Sequence, residues 1–382
     1  MHLGFNARIL RAPETRGWQR YSLQLLLGLL RRNLPVTLYS DGPLAPHYAA
    51  TLADAGARLV VRAGMSYPVW QYCWLPRQLR RDGIDVFHSP FHFGLPLSGA
   101  AGRVLTLHDA IDQVAPARAD RWDPARWHAA FSRHSADAII TVSQHARQDL
   151  IQAWRIAPEK ITVIYEAADA AFSRPVAPAT MADLRQRYQL PPRYVLYLGG
   201  WEARKNVGFL LQAFQRAQLT PDIGLVLAGG REAQIAALNA QGVRLGLEAS
   251  RLRLLAWVPE NDLPALYAAA LGFVYPSRYE GFGLQLCEAM AAGCPVLAAR
   301  ATCLPEILGA GGETFTLETQ DELVSLLRRL AGDPDFRAAL VSRARRRALD
   351  FSWSLTAQKT AALYARLVKS PPGARNAHSA GA

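Results

Sequence analysis

Tyr194-Val195-Leu196-Tyr197-Leu198 runs without a break into Gly199-Gly200-Trp201-Glu202-Ala203-Arg204-Lys205-Asn206, and then into a helical pattern from Val207 to Gln218. Five apolar or aromatic residues before a glycine pair read as a buried strand, and the pattern behind the loop as the helix that follows it. Glycines in such a loop let backbone N–H groups approach an anion. The helix N-terminus adds its dipole, and Arg204 and Lys205 supply full charges. The loop therefore reads as a diphosphate cradle, and not as the dinucleotide fingerprint, because G-x-G-x-x-G is absent. Standing alone, it also fits a glycine turn flanked by solvated charges.

A second stretch of the same kind lies downstream. Tyr275-Pro276-Ser277-Arg278-Tyr279-Glu280-Gly281-Phe282-Gly283-Leu284-Gln285-Leu286-Cys287-Glu288-Ala289-Met290 follows an apolar run and enters a helix. Glu280 falls in the loop and Glu288 on the helix. Two carboxylates at different heights suit two hydrogen-bonding tasks, such as the cis-diol of a ribose and the hydroxyls of a hexose, while Gly281 and Gly283 expose amides. Taken singly, Glu280 also reads as an exposed loop charge and Glu288 as a charge favoured near a helix N-terminus.

Working outward, short apolar runs alternate with helix-length amphipathic stretches, the pattern of parallel sheets covered by helices. Strands are expected at Leu3–Ile9, Val36–Tyr39, Arg58–Val61, Asp85–His88, Val104–Leu107, Ala138–Val142 and Ile161–Ile164. A second series is expected at Tyr194–Leu198, Ile223–Leu227, Leu252–Leu255, Gly272–Tyr275 and Pro295–Ala298. Pro175, Pro178, Pro191 and Pro192 interrupt the rhythm between the two series. The economical reading is an α/β chain of two doubly wound Rossmann-like domains facing an interdomain cleft, with the chemistry on loops that follow strands. The boundaries read as 1–170 for an N-terminal domain, 171–192 for a linker region and 193–352 for a C-terminal domain. A C-terminal helix over 353–369 is expected to pack back on the N-terminal domain, with a disordered tail over 370–382.

Composition agrees with this organisation. A chain of 382 residues exceeds one ordinary core, and its half-apolar, 19% charged composition excludes wholesale disorder. Cys73, Cys287, Cys294 and Cys303 form no C-x-x-C pair and lie near no histidine cluster, so neither a disulfide framework nor a zinc site is indicated. The N-terminus lacks the pattern of a signal peptide, and no apolar run reaches the roughly 20 residues of a membrane span. A cytoplasmic location is expected. The net charge of +12 rests on 39 Arg and only 4 Lys. Those arginines are dispersed and carry no recognition motif, so no nucleic acid partner is expected; phosphorylated substrates or an anionic membrane surface fit better.

Together, G-G-x-x-x-R-K-N at Gly199–Asn206, E-x7-E at Glu280–Glu288, Ala289-Met290-Ala291-Ala292-Gly293-Cys294-Pro295-Val296 and Leu304-Pro305-Glu306 resemble the retaining glycosyltransferases of family 4. The resemblance covers nearly the whole chain and implies the GT-B architecture, with 1–170 as the N-terminal acceptor-side domain and 193–352 as the C-terminal nucleotide-sugar-binding domain. It implies that Arg204 and Lys205 hold a diphosphate, with Gly199, Gly200 and Asn206 shaping their loop. It implies that Glu288 holds the ribose, that Glu280 holds the transferring sugar, and that Gly281, Phe282, Gly283 and Leu284 line the same donor. Thr106-Leu107-His108-Asp109 resembles the family's His-Asp element, so His108 would reach the donor sugar; apart from the resemblance, His108 also reads as a satisfied structural histidine. Glu14-Thr15-Arg16-Gly17-Trp18-Gln19-Arg20-Tyr21 resembles the loop beside acceptor and phosphate, of which Gly17 alone is carried over.

Two departures stand out. Ile164-Tyr165-Glu166-Ala167-Ala168-Asp169 replaces a more usual Asn-Gly-Val-Asp ending, and Gln285 stands where proline is common. Asp333-Pro334-Asp335 matches a metal-binding D-x-D string, but before a helical stretch it reads as an N-cap followed by proline at the first helical position. No cofactor and no metal are expected, the diphosphate charge being met by Arg204 and Lys205. The expected reaction moves a hexose, with GDP-mannose favoured, from a nucleoside-diphosphate sugar to a saccharide or lipid-linked saccharide in surface polysaccharide synthesis, peripheral to the inner face of the plasma membrane. A nucleotide-sugar-binding partner subunit without catalysis, and a sugar-nucleotide epimerase on the same frame, are the alternatives.

Overall fold

The computed structural model describes residues 1–13, 17–100, 102–111 and 124–369. Its first sheet has seven strands: β1 (Leu3–Asn6), β2 (Val36–Ser40), β3 (Arg58–Val61), β4 (Val86–Ser89), β5 (Gly102–Thr106), β6 (Ala138–Thr141) and β7 (Ile161–Val163). They pair in parallel in the order β3-β2-β1-β4-β5-β6-β7. Strands β1, β2, β4 and β6 are buried along their whole length, as parallel strands covered on both faces must be. Edge strand β3 leaves Leu59 and Val61 exposed. The strand order reverses between β1 and β4, so the loops that leave these two strands open a crevice at their carboxyl ends.

The second sheet has six parallel strands: β8 (Arg193–Leu198), β9 (Ile223–Ala228), β10 (Leu252–Leu255), β11 (Gly272–Tyr275), β12 (Val296–Ala299) and β13 (Glu313–Phe315). Their order is β10-β9-β8-β11-β12-β13. Here the reversal falls between β8 and β11, paired through Val195↔Gly272 and Leu196↔Phe273, which sets the two motif loops side by side. β13 carries no sequence signal: three residues at a sheet edge, of which only Phe315 is buried.

The chain divides into two compact units, Met1–Glu166 with everything from Trp353 onward, and Ala167–Ser352. Residues 171–192, read from their prolines as a linker, belong to the second unit and contain the helix Pro178–Tyr188. Leu184 buries that helix, and the Tyr188 hydroxyl and Arg187 both bond Asp262 at 2.6 Å. In the first unit the helix Trp353–Lys369 lies against the helix Gly17–Leu30 so closely that a Cβ on Gly28 would stand 2.7 Å from the Ala357 Cβ. Thr356 also donates to the Tyr165 carbonyl at 2.7 Å. The loop residues Glu14, Thr15 and Arg16 and the tail over 370–382 lie outside the described residues.

Asp333 caps the helix Pro334–Ala348, accepting from the Phe336 N–H at 2.9 Å. Among the described residues, no helix is long and apolar enough to cross a membrane.

Candidate functional site

In the second unit three loops converge on Glu280. The loop after β8 ends in a 3-10 turn, Ala203–Lys205, which directs both cations toward the loop after β11. Lys205 is 6% exposed, and its Nζ donates to Glu280 Oε1 at 2.6 Å and to the Tyr275 hydroxyl at 2.9 Å. Arg204 approaches the same carboxylate at 3.3 Å and the Tyr279 carbonyl at 3.2 Å, while its side chain stays one-third exposed. Ser277 Oγ donates to Glu280 Oε1 at 2.6 Å. From the loop after β12, Thr302 Oγ1 accepts the Glu280 N–H at 3.2 Å and the Cys303 thiol donates to the Glu280 carbonyl.

Burial alone would push the Glu280 carboxyl up. The Lys205 and Arg204 charges and the hydrogen bonds from Lys205 and Ser277 outweigh it, holding the group ionised below the usual glutamate range. Tyr275 moves the other way: burial, then the Glu280 charge, lift its phenol well above its ordinary range, so it stays a donor. Its hydroxyl donates to Gln285 Oε1 at 3.1 Å. A chain of bonds thus runs from Gln285 through Tyr275 and Lys205 to Glu280. Two cations thus stand against the Glu280 carboxylate at the carboxyl ends of β8 and β11, with Glu202 of the same loop close to Gly200.

The glycines act mainly on the backbone. Gly199, at φ +151°, donates its N–H to the Ala228 carbonyl at 2.9 Å, so its amide is used within the sheet. Gly200 has its carbonyl bonded by the Tyr197 hydroxyl at 2.6 Å. Asn206, at φ +58°, turns the chain into the helix Val207–Ala217, and its buried Nδ2 has no partner. Gly281 and Phe282 are buried in the β11 loop; Gly283, at φ +84°, turns it into the helix Leu284–Ala291, where the first-turn amides lie. Glu288 sits on that helix at 2% exposure and accepts from the Tyr267 hydroxyl at 3.0 Å, which excludes a merely exposed helix-end charge.

The first unit holds the remaining candidates. His108 follows β5 and is 5% exposed. Its Nδ1 lies 3.0 Å from Glu166 Oε1 and its Nε2 3.1 Å from the Pro90 carbonyl. Trp18 stacks near the ring at 6.3 Å and Tyr21 meets it edge-on at 4.8 Å. Beneath it, His88 joins Tyr364 at 2.6 Å and Thr106 at 2.8 Å, which in turn meets the Tyr21 hydroxyl at 3.0 Å. Burial, and then the neighbouring His108, push the His88 imidazole down to about 3. Gly17 opens the helix Gly17–Leu30 with open space around the position of a Cβ. Beside it lies a pocket of about 530 Å³ walled by Arg8, Ile9, Trp18, Phe91 and Phe93, at the carboxyl ends of β1 and β4. Sequence reasoning passed over Ser277, Tyr275 and Thr302 as partners. Gln285 and Glu166 were visible only as departures from the family pattern.

Comparison with known proteins follows the same division. Residues 15–172 match the family model described as Glycosyltransferase Family 4, and residues 182–347 the one described as Glycosyl transferases group 1. The chain is 33% identical over 298 residues to O-antigen chain mannosyltransferase B of Escherichia coli, covering 76% of this chain and 72% of that one. It is 29% identical over 314 residues to MMP alpha-(1->4)-mannosyltransferase of Mycolicibacterium hassiacum, covering 76% and 72%. Among solved structures, Anabaena Alr3699/HepE in complex with UDP and glucose superimposes with a TM-score of 0.75 at 22% identity over 96% of this chain and 100% of that one, a likeness of fold. With both halves matched, the motif loops at the strand reversal and a relative one-third identical, the chain belongs to the group 1 glycosyltransferases of family 4, on the GT-B frame.

Proposed function

We propose that the protein transfers mannose from GDP-mannose, with retention of configuration, to a saccharide or lipid-linked saccharide in the assembly of a surface polysaccharide. The observation that carries the chemistry is the Lys205–Arg204–Glu280 cluster at the ends of β8 and β11. The lean toward mannose and toward polysaccharide rests on the two mannosyltransferase relatives.

As the anomeric C–O bond breaks, its electron pair moves to the β-phosphate oxygen and positive charge grows on the sugar ring. Lys205 and Arg204 meet the new negative charge, aided by the amides that open the helix Leu284–Ala291, and such preorganised donors act on the transition state more than on the ground state. Glu280 has two tasks in this scheme: it holds Lys205 in place before the donor arrives, and it offsets charge on the ring. Glu288 takes the ribose, and His108 a hydroxyl of the transferring sugar. The acceptor hydroxyl attacks the anomeric carbon from the face the diphosphate leaves, and its proton passes to the departing phosphate. No metal is needed where two side-chain cations do this work.

The acceptor sugar is assigned to the pocket beside Trp18, Phe91 and Phe93, whose rings offer apolar faces to a pyranose. The arginine excess is assigned to an anionic membrane surface, a reading that requires salt-sensitive binding to anionic vesicles.

The test is a screen of nucleotide sugars, read by thermal stabilisation and by nucleoside diphosphate release with and without saccharide acceptors, in excess EDTA. Acceptor-dependent release from GDP-mannose is expected, unchanged by the chelator. Release from another donor alone would replace the sugar assignment, and activity restored only by manganese would overturn the metal-free step.

A further inference from the structure

Glu166 stands where the family pattern carries no acid, yet it is buried against the one histidine assigned to the donor sugar. Both side chains are 7% exposed, and the contact is 3.0 Å. The second ring nitrogen faces the Pro90 carbonyl at 3.1 Å. A carbonyl oxygen accepts and never donates, so Nε2 must carry a hydrogen. An ionised carboxylate likewise only accepts, so Nδ1 must carry one too. Beside an ionised Glu166 a neutral imidazole, with its single N–H, leaves one of these short contacts as two facing lone pairs; a protonated Glu166 donating to Nδ1 would close the same contacts with a neutral ring, and the nitrogen spectra below tell the two apart. The pattern closes fully when the ring holds both hydrogens and Glu166 balances its charge, which also makes burial of the pair tolerable.

The surroundings hold this arrangement in place. Trp18 covers the ring, and Tyr21 closes its edge while bonding Thr106. His88, beneath, is engaged at both nitrogens by Tyr364 and Thr106. Asp109, next in the chain, is turned to the Ile111 N–H at 3.1 Å. Among the described residues, Glu166 is the only carboxylate bonded to this ring.

We propose that Glu166 is a positioning residue that keeps His108 doubly protonated and fixed in orientation at the carboxyl end of β5, so that the hydrogen lent to the Pro90 carbonyl is available to a hydroxyl of the transferring sugar. This rests on the assignment of His108 to the donor under the proposed function.

The test uses the full chain labelled with 15N-histidine, the His108 signals being assigned with His108→Gln, alongside Glu166→Gln and Glu166→Asp. At pH 7 the two His108 ring nitrogens of the parent should resonate together as protonated nitrogens. In Glu166→Gln they should separate into one protonated and one bare nitrogen, and Glu166→Asp should keep the parent pattern. Turnover should fall up to about 100-fold in Glu166→Gln, the loss expected when a reacting group is misplaced. The KM for donor should stay within about twofold, with partial rescue in Glu166→Asp. A parent spectrum showing one bare nitrogen overturns the proposal, as does parent-like turnover in Glu166→Gln. If no nucleotide sugar is turned over at all, the transferase assignment fails, while the nitrogen spectra still decide the pairing.

Discussion

Replacing Lys205 by methionine tests the cluster most sharply, because the same side chain has a structural and a catalytic task that separate. The residue is 6% exposed and its Nζ is 2.6 Å from Glu280. Removing one member of a buried ion pair strands the other, at about 3–5 kcal/mol. Here Ser277 still donates to Glu280 at 2.6 Å and Arg204 remains at 3.3 Å, so the loss should fall to about 2–3 kcal/mol, read as roughly 5–10 °C in calorimetry. The catalytic loss is separate: one preorganised donor withdrawn from a developing oxyanion costs about 3–4 kcal/mol, or 10²- to 10³-fold in turnover. Adding Glu280→Gln to the methionine variant removes the stranded charge. Stability should then recover toward the parent while nucleoside diphosphate release from GDP-mannose stays low. Turnover of the single variant within about threefold of the parent, at saturating donor and acceptor, would refute the leaving-group role. Recovery of turnover together with stability in the double variant would show that Lys205 serves only to neutralise Glu280.

Three further outcomes are expected. The depressed His88 means that the unfolded chain takes up a proton which the folded one refuses, so stability is complete above about pH 6.5 and drains as pH falls, by about 2 kcal/mol between pH 7 and pH 5. Urea unfolding of His88→Gln should show that much less dependence on pH, and equal losses in both proteins would exclude His88 as the source. Gly28→Leu forces bulk into a gap where a Cβ already meets Ala357 at 2.7 Å; a loss of about 1–3 kcal/mol is expected, partly recovered by Ala357→Gly, and an unchanged melting point would deny the close helix packing. Asp333→Ala removes an N-cap and should cost about 1 kcal/mol with turnover intact, whereas Asp333→Asn should cost far less; loss of activity in either would reopen a metal role for Asp333-Pro334-Asp335.

Much of the frame was legible because the evidence for it is local. Each βα unit announces itself by an apolar run, a glycine turn and an amphipathic stretch, and twelve strands could be placed from these alone, Arg58–Val61, Leu252–Leu255 and Gly272–Tyr275 to the residue. β13 escaped because three residues at an edge bury too little to shape a pattern. The stretch 171–192 reads as a boundary because prolines mark breaks in the backbone, and they say nothing about what the intervening helix packs on. Arg204, Lys205 and Glu280 were nominated by residue type, but their mutual contact depends on β8 and β11 being neighbours, a fact of sheet order. Ser277, Tyr275 and Thr302 carry ordinary loop chemistry until that order is known. Glu166 lies 58 positions from His108 and stood out in the sequence only as a departure from the family pattern.

The helix Trp353–Lys369 is the final described segment of the chain, yet it covers the helix Gly17–Leu30 and supplies the Tyr364 hydroxyl to His88. On the ribosome, residues 1–166 therefore emerge long before the piece that completes them, and the whole intervening unit must be synthesised first. Through that interval the groove around Gly28 and the polar string of His88, Thr106 and Tyr21 lack their cover. Folding from the N-terminus in order, the usual course for tandem domains, would give this half of the molecule its fold without its final covering helix. A nascent chain halted before Trp353 has every strand of both sheets but lacks the helix that covers Gly28 and bonds His88 in the first.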